Sequence, residues 1–273
     1  MDEEECDSLI VQDLLEELNT SLGYDFREYT RPSILRRIRS VYAKLGCSSI
    51  EELLSLVRSD RSHMRTLISG LTVNVTEMFR DPTVYAAIRR EVIPVLRTYP
   101  SIRIWHAGCA TGEEVYSMAI LLHEEGLYEK CFLYGTDISH DAIEKAKQGI
   151  YSAEQIQAYT SNYQRAGGLE SFSAYYTAKY DSVRINESLR KNILFAQHSL
   201  VADELFSEVH MIFCRNVLIY FSRKLQDRAL GLFHRGLVHR GYLCLGTKET
   251  TEFSQYERAF EAVLKSERIF RKC

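Results

Sequence analysis

Apolar and polar positions divide this chain into three stretches with different periods. From residue 7 to about 70 the apolar residues recur at helical spacing. Leu9, Ile10, Leu14, Leu15 and Leu18 form one stripe, with Gly23 as its stop. Ile34, Ile38, Val41, Tyr42 and Leu45 form a second behind Pro32, and Leu53, Leu54 and Val57 a third. The third follows Ser48-Ser-Ile-Glu-Glu52, which has the form of a capped helix start. No alternation of period two interrupts them, so residues 1–70 are expected to form a small helical domain. Residues 71–82 break the pattern, with polar side chains at alternate positions and Pro82 able to open a new helix. They are expected to link two domains and to contribute to a ligand site.

From residue 83 the pattern reads helix (83–97), strand (102–107), helix (113–125), strand (131–136) and helix (139–148). Such alternation predicts a parallel sheet with helices on both faces, filling 83–273. Residues 150–200 depart from it. An aromatic-rich stretch (Tyr159, Tyr163, Phe172, Tyr175, Tyr176, Tyr180) precedes two short alternating runs, Ser182–Ile185 and 192–196. Both runs are expected in a small antiparallel insertion at about 165–198. The earlier pattern resumes at Val209–Cys214, followed by a helix (223–238), a strand after Gly241 (242–245) and a last strand near 268–270.

Composition narrows the class only a little. With 273 residues, 45% of them apolar, the chain can bury a large core. A net charge of -3 weighs against a nucleic-acid binder, whose surface is usually basic. No apolar run approaches bilayer length, so no membrane insertion is expected. The start, Met1-Asp-Glu-Glu-Glu-Cys6, lacks the basic and apolar regions of a secretion signal, and a cytoplasmic location is expected. The 7 cysteines form no Cys-x-x-Cys pair. They read as small core residues of a reducing compartment, with no metal site expected.

Four segments fall where a doubly wound sheet holds its ligand, just past the carboxyl ends of strands. The first is the turn Ala107-Gly-Cys-Ala-Thr-Gly-Glu113, which brings bare backbone close to a ligand; alone it is also an ordinary strand-to-helix turn. The second is Tyr134-Gly-Thr-Asp137, where a carboxylate can accept both hydroxyl protons of a ribose diol or cap the next helix. The third is Arg215-Asn216, a polar pair between two apolar runs that must find partners or lie at the sheet's edge. The fourth is Asn74, Thr76 and Arg80, whose side chains can face one ligand or simply be solvated.

These segments carry a resemblance. Thr72-Val-Asn-Val-Thr-Glu-Met-Phe-Arg-Asp81, Ala107-Gly-Cys-Ala-Thr-Gly-Glu-Glu-Val-Tyr-Ser117, Gly135-Thr-Asp-Ile-Ser139, Cys214-Arg-Asn-Val-Leu-Ile-Tyr-Phe221 and Gly246-Thr-Lys-Glu-Thr250 resemble the CheR family in order and spacing. The members are S-adenosyl-L-methionine-dependent methyltransferases that esterify glutamates of chemotaxis receptors and release S-adenosyl-L-homocysteine. The resemblance implies an α/β fold: a Rossmann-like class I methyltransferase sheet with a small N-terminal helical domain and a small antiparallel β insertion.

It also implies roles. Asn74, Thr76 and Arg80 would contact the cofactor at its methionine end, Glu113 would also contact the cofactor, and Asp137 would hold the ribose. Arg215 and Asn216 would line the pocket wall, with Ser199 and Leu200 near the adenine. Two departures stand out. The chain has His198-Ser199-Leu200 where the family commonly has His-Asn-Leu, which loses an amide's paired donor and acceptor. The family's Ser-Glu-Ser is Thr247-Lys-Glu-Thr250 here, with bulky Lys248 at the rim.

Glutamate is ionised at neutral pH, with a pKa of about 4.3, so esterification needs no general base. The site must align the groups and strip water from the carboxylate. Arg80 and Tyr220 are the catalytic candidates, although Tyr220 also reads as a core aromatic. Arg36, Arg37 and Arg39, with Arg31 and Lys44, crowd one predicted helix of an acidic protein. They read as a docking face for the helical cytoplasmic domain of a chemoreceptor, or as a solvated face. In some family members the small β element tethers a peptide at the receptor's C-terminus through a longer, glycine-containing loop. Here Ala178-Lys-Tyr-Asp-Ser-Val183 is short and lacks glycine, so no pentapeptide tethering is expected. Two other readings stay open: a carboxyl methyltransferase of another signalling protein, and a non-catalytic cofactor-binding module. A nicotinamide dehydrogenase is disfavoured by the incomplete glycine motif.

Overall fold

The computed structural model describes residues 3–72 and 75–273. The chain divides into two compact units, Met1–Val73 with Tyr220–Arg228, and Asn74–Ile219 with Ala229–Cys273.

The first unit is helical: α1 (Glu3–Leu22), α2 (Arg31–Leu45), α3 (Ile50–Ser59) and α4 (Arg61–Leu71). Each boundary has a local cause. Pro32 sits in the first turn of α2, and Gly46 closes that helix at φ 73°. Ser49 caps α3 by accepting from the Glu52 N–H, while Glu52 reaches back to the Ser48 N–H at 2.7 Å. Asp60 ends α3 and caps α4, so one helical stretch becomes two. The core takes in the predicted stripe residues Leu14, Leu18, Ile38 and Leu53, joined by Phe26 and Leu67, all fully buried. Residues 220–224 are stitched into this unit. The Thr30 N–H donates to the Tyr220 carbonyl at 2.8 Å, and the Ser222 N–H to the Glu28 carbonyl at 2.8 Å.

The second unit begins with α5 (Pro82–Ala87), a π-helical turn (Ile88–Val92) and α6 (Ile93–Leu96). Pro94 lacks the N–H that a regular α-turn would need there, and the helix widens instead of stopping. Then follow β1 (Ile102–Ala107), α7 (Glu113–Glu124), β2 (Cys131–Asp137) and α8 (His140–Gln148). Every residue of α7 from Val115 to Leu122 is buried, which is why its sequence is apolar on all sides. The insertion comprises β3 (Ile150–Ser152), α9 (Ile156–Arg165), β4 (Tyr176–Lys179) and β5 (Ser182–Ile185). After it come β6 (Ile193–Gln197), β7 (Val209–Cys214), α10 (Arg223–Gly236), β8 (Leu237–Leu245), β9 (Phe260–Leu264) and β10 (Ile269–Lys272).

The large sheet has the order β6-β2-β1-β7-β8-β10-β9, and a second sheet the order β3-β5-β4. The first five strands of the large sheet run parallel; β10 is antiparallel to β8, and β9, antiparallel to β10, runs in the same direction as the first five. The chain moves outward from β1 through β2 to β6, then returns to start β7 on the other side of β1. The carboxyl ends of β1 and β7 therefore flank the switch point, where such sheets open a crevice for ligands.

Three expectations are corrected. The run at 192–196 does not join the small antiparallel sheet: as β6 it pairs in parallel with β2, while β3 completes the small one. A short alternating run looks alike at the edge of either sheet, and only pairing distinguishes them. β8 starts at Leu237, ahead of Gly241, because a bulge at 238–241 hides its alternation. β9 went unpredicted; it is a short edge strand with Val263 on its open face.

Candidate cofactor site at the switch point

β1 ends in a turn whose shape is set by positive φ at Gly108 (77°), Ala110 (48°) and Gly112 (92°). A Cβ on Gly108 would lie 2.4 Å from Cγ2 of Val217, so glycine is what lets the turns after β1 and β7 pack together. Ala110 has no such freedom and is held by its N–H, which donates to Asp137 Oδ2 at 2.9 Å.

Asp137 ends β2 and is buried. Its other oxygen accepts from the Ser139 N–H at 2.8 Å, and Ser139, not Asp137, caps α8. The backbone N–H groups of Ser139, Ala110 and Ile138 engage the carboxylate; with about four acceptor positions when ionised, it keeps capacity for a ligand's hydroxyl. Burial raises its pKa, against the backbone N–H groups that lower it. Glu113, the first residue of α7, is buried too. Oε2 accepts from the Thr111 hydroxyl at 2.7 Å, but the donor at Oε1, the Tyr159 hydroxyl, is 3.5 Å away. Its pKa is raised, again chiefly by burial. Among the described residues neither carboxylate forms a salt bridge. Two buried anions without cations suit a ligand carrying positive charge and vicinal hydroxyls. S-adenosylmethionine, with a sulfonium, an ammonium and a ribose, has that chemistry.

Arg215 follows β7 and is buried. Nη2 pairs with Asp81 Oδ2 at 2.6 Å and donates to the Arg80 carbonyl at 3.2 Å, while Nη1 lies 3.2 Å from Glu114 Oε2. Glu114 Oε1 is 2.9 Å from Nδ1 of His106, whose ring stacks on Phe213 at 4.5 Å. Burial would raise the Glu114 carboxyl, but the His106 hydrogen bond and the Arg215 charge hold it below the usual range. Arg215 is thus a strut between the end of β7 and residues 80–81. Asn216 takes φ 62°, a conformation Asn tolerates better than most residues.

Residues 75–81 lie against the same region through Phe79. This residue is fully buried, with φ 52°, and its N–H donates to the Ser117 hydroxyl at 2.8 Å. Its ring packs on Tyr85, Tyr163 and Phe172. The Asn162 amide of α9 donates to the Met78 carbonyl at 3.2 Å, and Asp81 has φ 55°. Two non-glycine residues at positive φ within three positions mark a segment held in shape by its surroundings. Thr76 and Arg80 are half-buried there. Asn74 lies outside the described residues.

Ser199 and Leu200 follow β6. The Ser199 hydroxyl accepts from the N–H groups of Val201 at 3.2 Å and Ala202 at 3.3 Å, so it folds into its own turn; Leu200 is buried. Tyr220 belongs to the helical unit, under the guanidinium of Arg37. In α2, Arg36 and Arg39 are exposed, whereas Arg37 is half-buried and also donates to the Leu71 carbonyl.

Three residues of this region escaped the sequence reading. Glu114 stood inside the quoted turn motif and His106 read as a wall or core residue, but nothing in the sequence paired the two. Glu249 stood in a quoted motif, but its burial is visible only in three dimensions.

Comparison with known families identifies both parts of the chain. Residues 74–268 match the CheR methyltransferase, SAM binding domain, and residues 11–72 the CheR methyltransferase, all-alpha domain. A protein of Pseudomonas putida named "Putative methyltransferase Cher3" is 51% identical over 259 residues, covering 95% of both chains. A chemotaxis protein methyltransferase of Listeria innocua is 29% identical, over 84% of this chain and 85% of that one. The "Probable biofilm formation methyltransferase WspC" of Pseudomonas putida is 27% identical, over 85% of this chain and 54% of its own. With a S-adenosylmethionine-binding domain and an all-helical domain both matched in order, the chain belongs to the CheR methyltransferase family.

Proposed function

We propose that this methyltransferase esterifies glutamate side chains on the cytoplasmic helical domain of chemotaxis receptors, and works in the cytoplasm where that domain lies. The observation that carries the reading is the pair Glu113 and Asp137, buried beside the glycine turn without cationic partners among the described residues. Bound S-adenosylmethionine supplies a methyl group on a positively charged sulfur. Glu113 and Thr76 face its methionine end, joined by Asn74 on the family motif alone. Asp137 accepts from the ribose hydroxyls, and Leu200 and the backbone of Ser199 flank the adenine.

The incoming carboxylate needs no base, being already ionised. What it needs is a fixed position and a dry surrounding. Arg80, its backbone tied down by Arg215 and by the buried neighbour Phe79, offers a guanidinium to hold it. Tyr220 is a second candidate on the motif alone. Arg36 and Arg39 on the exposed face of α2, together with Arg37, form the docking side for an acidic receptor helix.

A second reading has specific support. The WspC relative is named for biofilm formation, and Ser199 and Lys248 depart from the family pattern. On that reading the methylated carboxylate belongs to another signalling protein. The test is incubation with methyl-labelled S-adenosylmethionine and either a receptor cytoplasmic fragment or source lysate. Base-labile label on the receptor is the expected result. Label only on a different protein favours the second reading, and cofactor binding without transfer a non-catalytic module.

A further inference from the structure

One buried carboxylate near the switch point has no part in the reading above. Glu249 lies in Gly246-Thr-Lys-Glu-Thr250, after β8, and is only 4% exposed. It accepts four backbone N–H groups. Oε2 takes those of Gly246 at 2.6 Å and Asn216 at 2.9 Å, and Oε1 those of Val217 at 2.8 Å and Ile219 at 3.3 Å. Three of the four donors come from the turn that follows Arg215. That turn has left the sheet ladder, and Asn216 within it sits at positive φ. Without Glu249 those N–H groups, part-buried at Asn216, Val217 and Ile219 and buried at Gly246, would lose their acceptor. Space around the clamp is tight: a Cβ on Gly246 would lie 2.7 Å from Glu249 Oε2 and 2.8 Å from the Asn216 nitrogen.

We propose that Glu249 is a positioning residue for the cofactor pocket: its carboxylate fixes the backbone of residues 216–219 and thereby aims the Asn216 side chain at the cofactor. This rests on the reading of Asn216 as a pocket residue. The residue type follows from the geometry. A carboxylate presents acceptors on both oxygens, whereas a glutamine must turn an NH2 toward one of the two pairs of donors. Glutamate at 249 therefore serves the turn after β7 in a way that its isostere cannot. The Val217 side chain, which packs against Gly108, is held by the same clamp, so the two turns flanking the switch point share one anchor.

The experiment uses the full chain and S-adenosylhomocysteine as the probe. Titration calorimetry gives affinities for wild type and for Glu249→Gln, Gly246→Ala, Asn216→Ala and Glu124→Gln. Amide exchange is followed for Asn216, Val217, Ile219 and Gly246. Glu124 is the control: a buried carboxylate at the far end of α7, bonded to Arg89, Tyr163 and Tyr175. Glu249→Gln is expected to bind at least tenfold more weakly and to lose protection at the four amides. Glu124→Gln, destabilised to a similar degree, should bind within twofold of wild type. Gly246→Ala should weaken binding at least fivefold by pressing on the clamp, and it decides the matter should Glu249→Gln not fold. Wild-type affinity in folded Glu249→Gln or Gly246→Ala, with Asn216→Ala weakened, overturns the inference alone. Wild-type affinity in Asn216→Ala overturns the pocket reading beneath it.

Discussion

The guanidinium of Arg37 lies 4.5 Å above the ring centre of Tyr220. A residue of the basic helix α2 is thereby joined to the first residue of the 220–228 segment, which the chain reaches a few positions after Arg215-Asn216. Burial lowers the Arg37 pKa, and the guanidinium has a second partner in the Leu71 carbonyl. Its charge is therefore engaged, unlike the exposed charges of Arg36 and Arg39. Arg37→Leu is expected to lower stability by about 1–2 kcal/mol, from a lost cation–π contact and a lost hydrogen bond. Urea denaturation measures it; an unchanged midpoint would show that the contact contributes nothing.

The exposed pair separates docking from folding. Arg36→Glu with Arg39→Glu should leave the unfolding midpoint within about 0.5 kcal/mol of wild type, as surface changes do. It should also lower kcat/KM on a receptor fragment about tenfold at low salt. The difference should shrink at high salt, where a Debye length of about 3 Å at 1 M screens the encounter. Equal kinetics at low salt remove α2 as the docking face.

Cofactor affinity should depend on pH through Glu113 and Asp137. Burial raises both pKa values in the free protein, so at mildly acid pH each retains a proton more readily than an exposed carboxylate. A cationic ligand binds the ionised forms better. Affinity for S-adenosylmethionine should therefore rise with pH from 5 and level off once both groups have ionised. The sign for stability is opposite. With pKa raised on folding, each group's contribution is complete below its unfolded value, and is lost as pH rises through the folded value. Calorimetric titration between pH 5 and 8 checks the first claim; Glu113→Gln should flatten the curve. Flat wild-type affinity across that range would refute it.

Arg215 is surrounded by charge and buried, so its removal is costly. Arg215→Met would leave Glu114 buried without its cation, a loss on the order of 3–5 kcal/mol. Arg215→Lys retains the charge but not the fork that reaches Asp81, the Arg80 carbonyl and Glu114 together. It should fold, with stability between the other two. Thermal unfolding of all three gives the order, and a Met variant as stable as wild type contradicts the strut.

The small sheet gives the fifth test. β4 and β5 are joined only by Tyr180 and Asp181, with Tyr180 at φ 51°. A turn that short has no loop to wrap a peptide, so a receptor C-terminal pentapeptide should give no heat on titration. Micromolar binding would show that another surface of the insertion serves.

Much of the architecture is written into the local pattern. The helical stripes, the β1-turn-α7 unit and the succession of elements from β1 to α8 follow from apolar periods and from Gly, Pro and Ser at element ends, which act on near neighbours in the chain. The edge strands were less legible. β6 and β9 are short and half-exposed, and nothing in four or five residues says which sheet they join.

At the site the division is sharper. The residue types at Asp137 and Arg215-Asn216 marked the candidate site, because polar groups at strand ends need partners, while Glu113 was marked by the family resemblance alone. Their partners were invisible, since charge pairing acts through space. Arg215 meets Asp81 across 134 positions, and Glu249 reaches Asn216 across 33. The sequence alone determined the two-domain pattern of periods, named candidate side chains for the chemistry and roughly marked where the strands end. Only the tertiary structure decided which of them are spent on one another and which stay open to a ligand, because that depends on burial and distance between segments far apart in the chain.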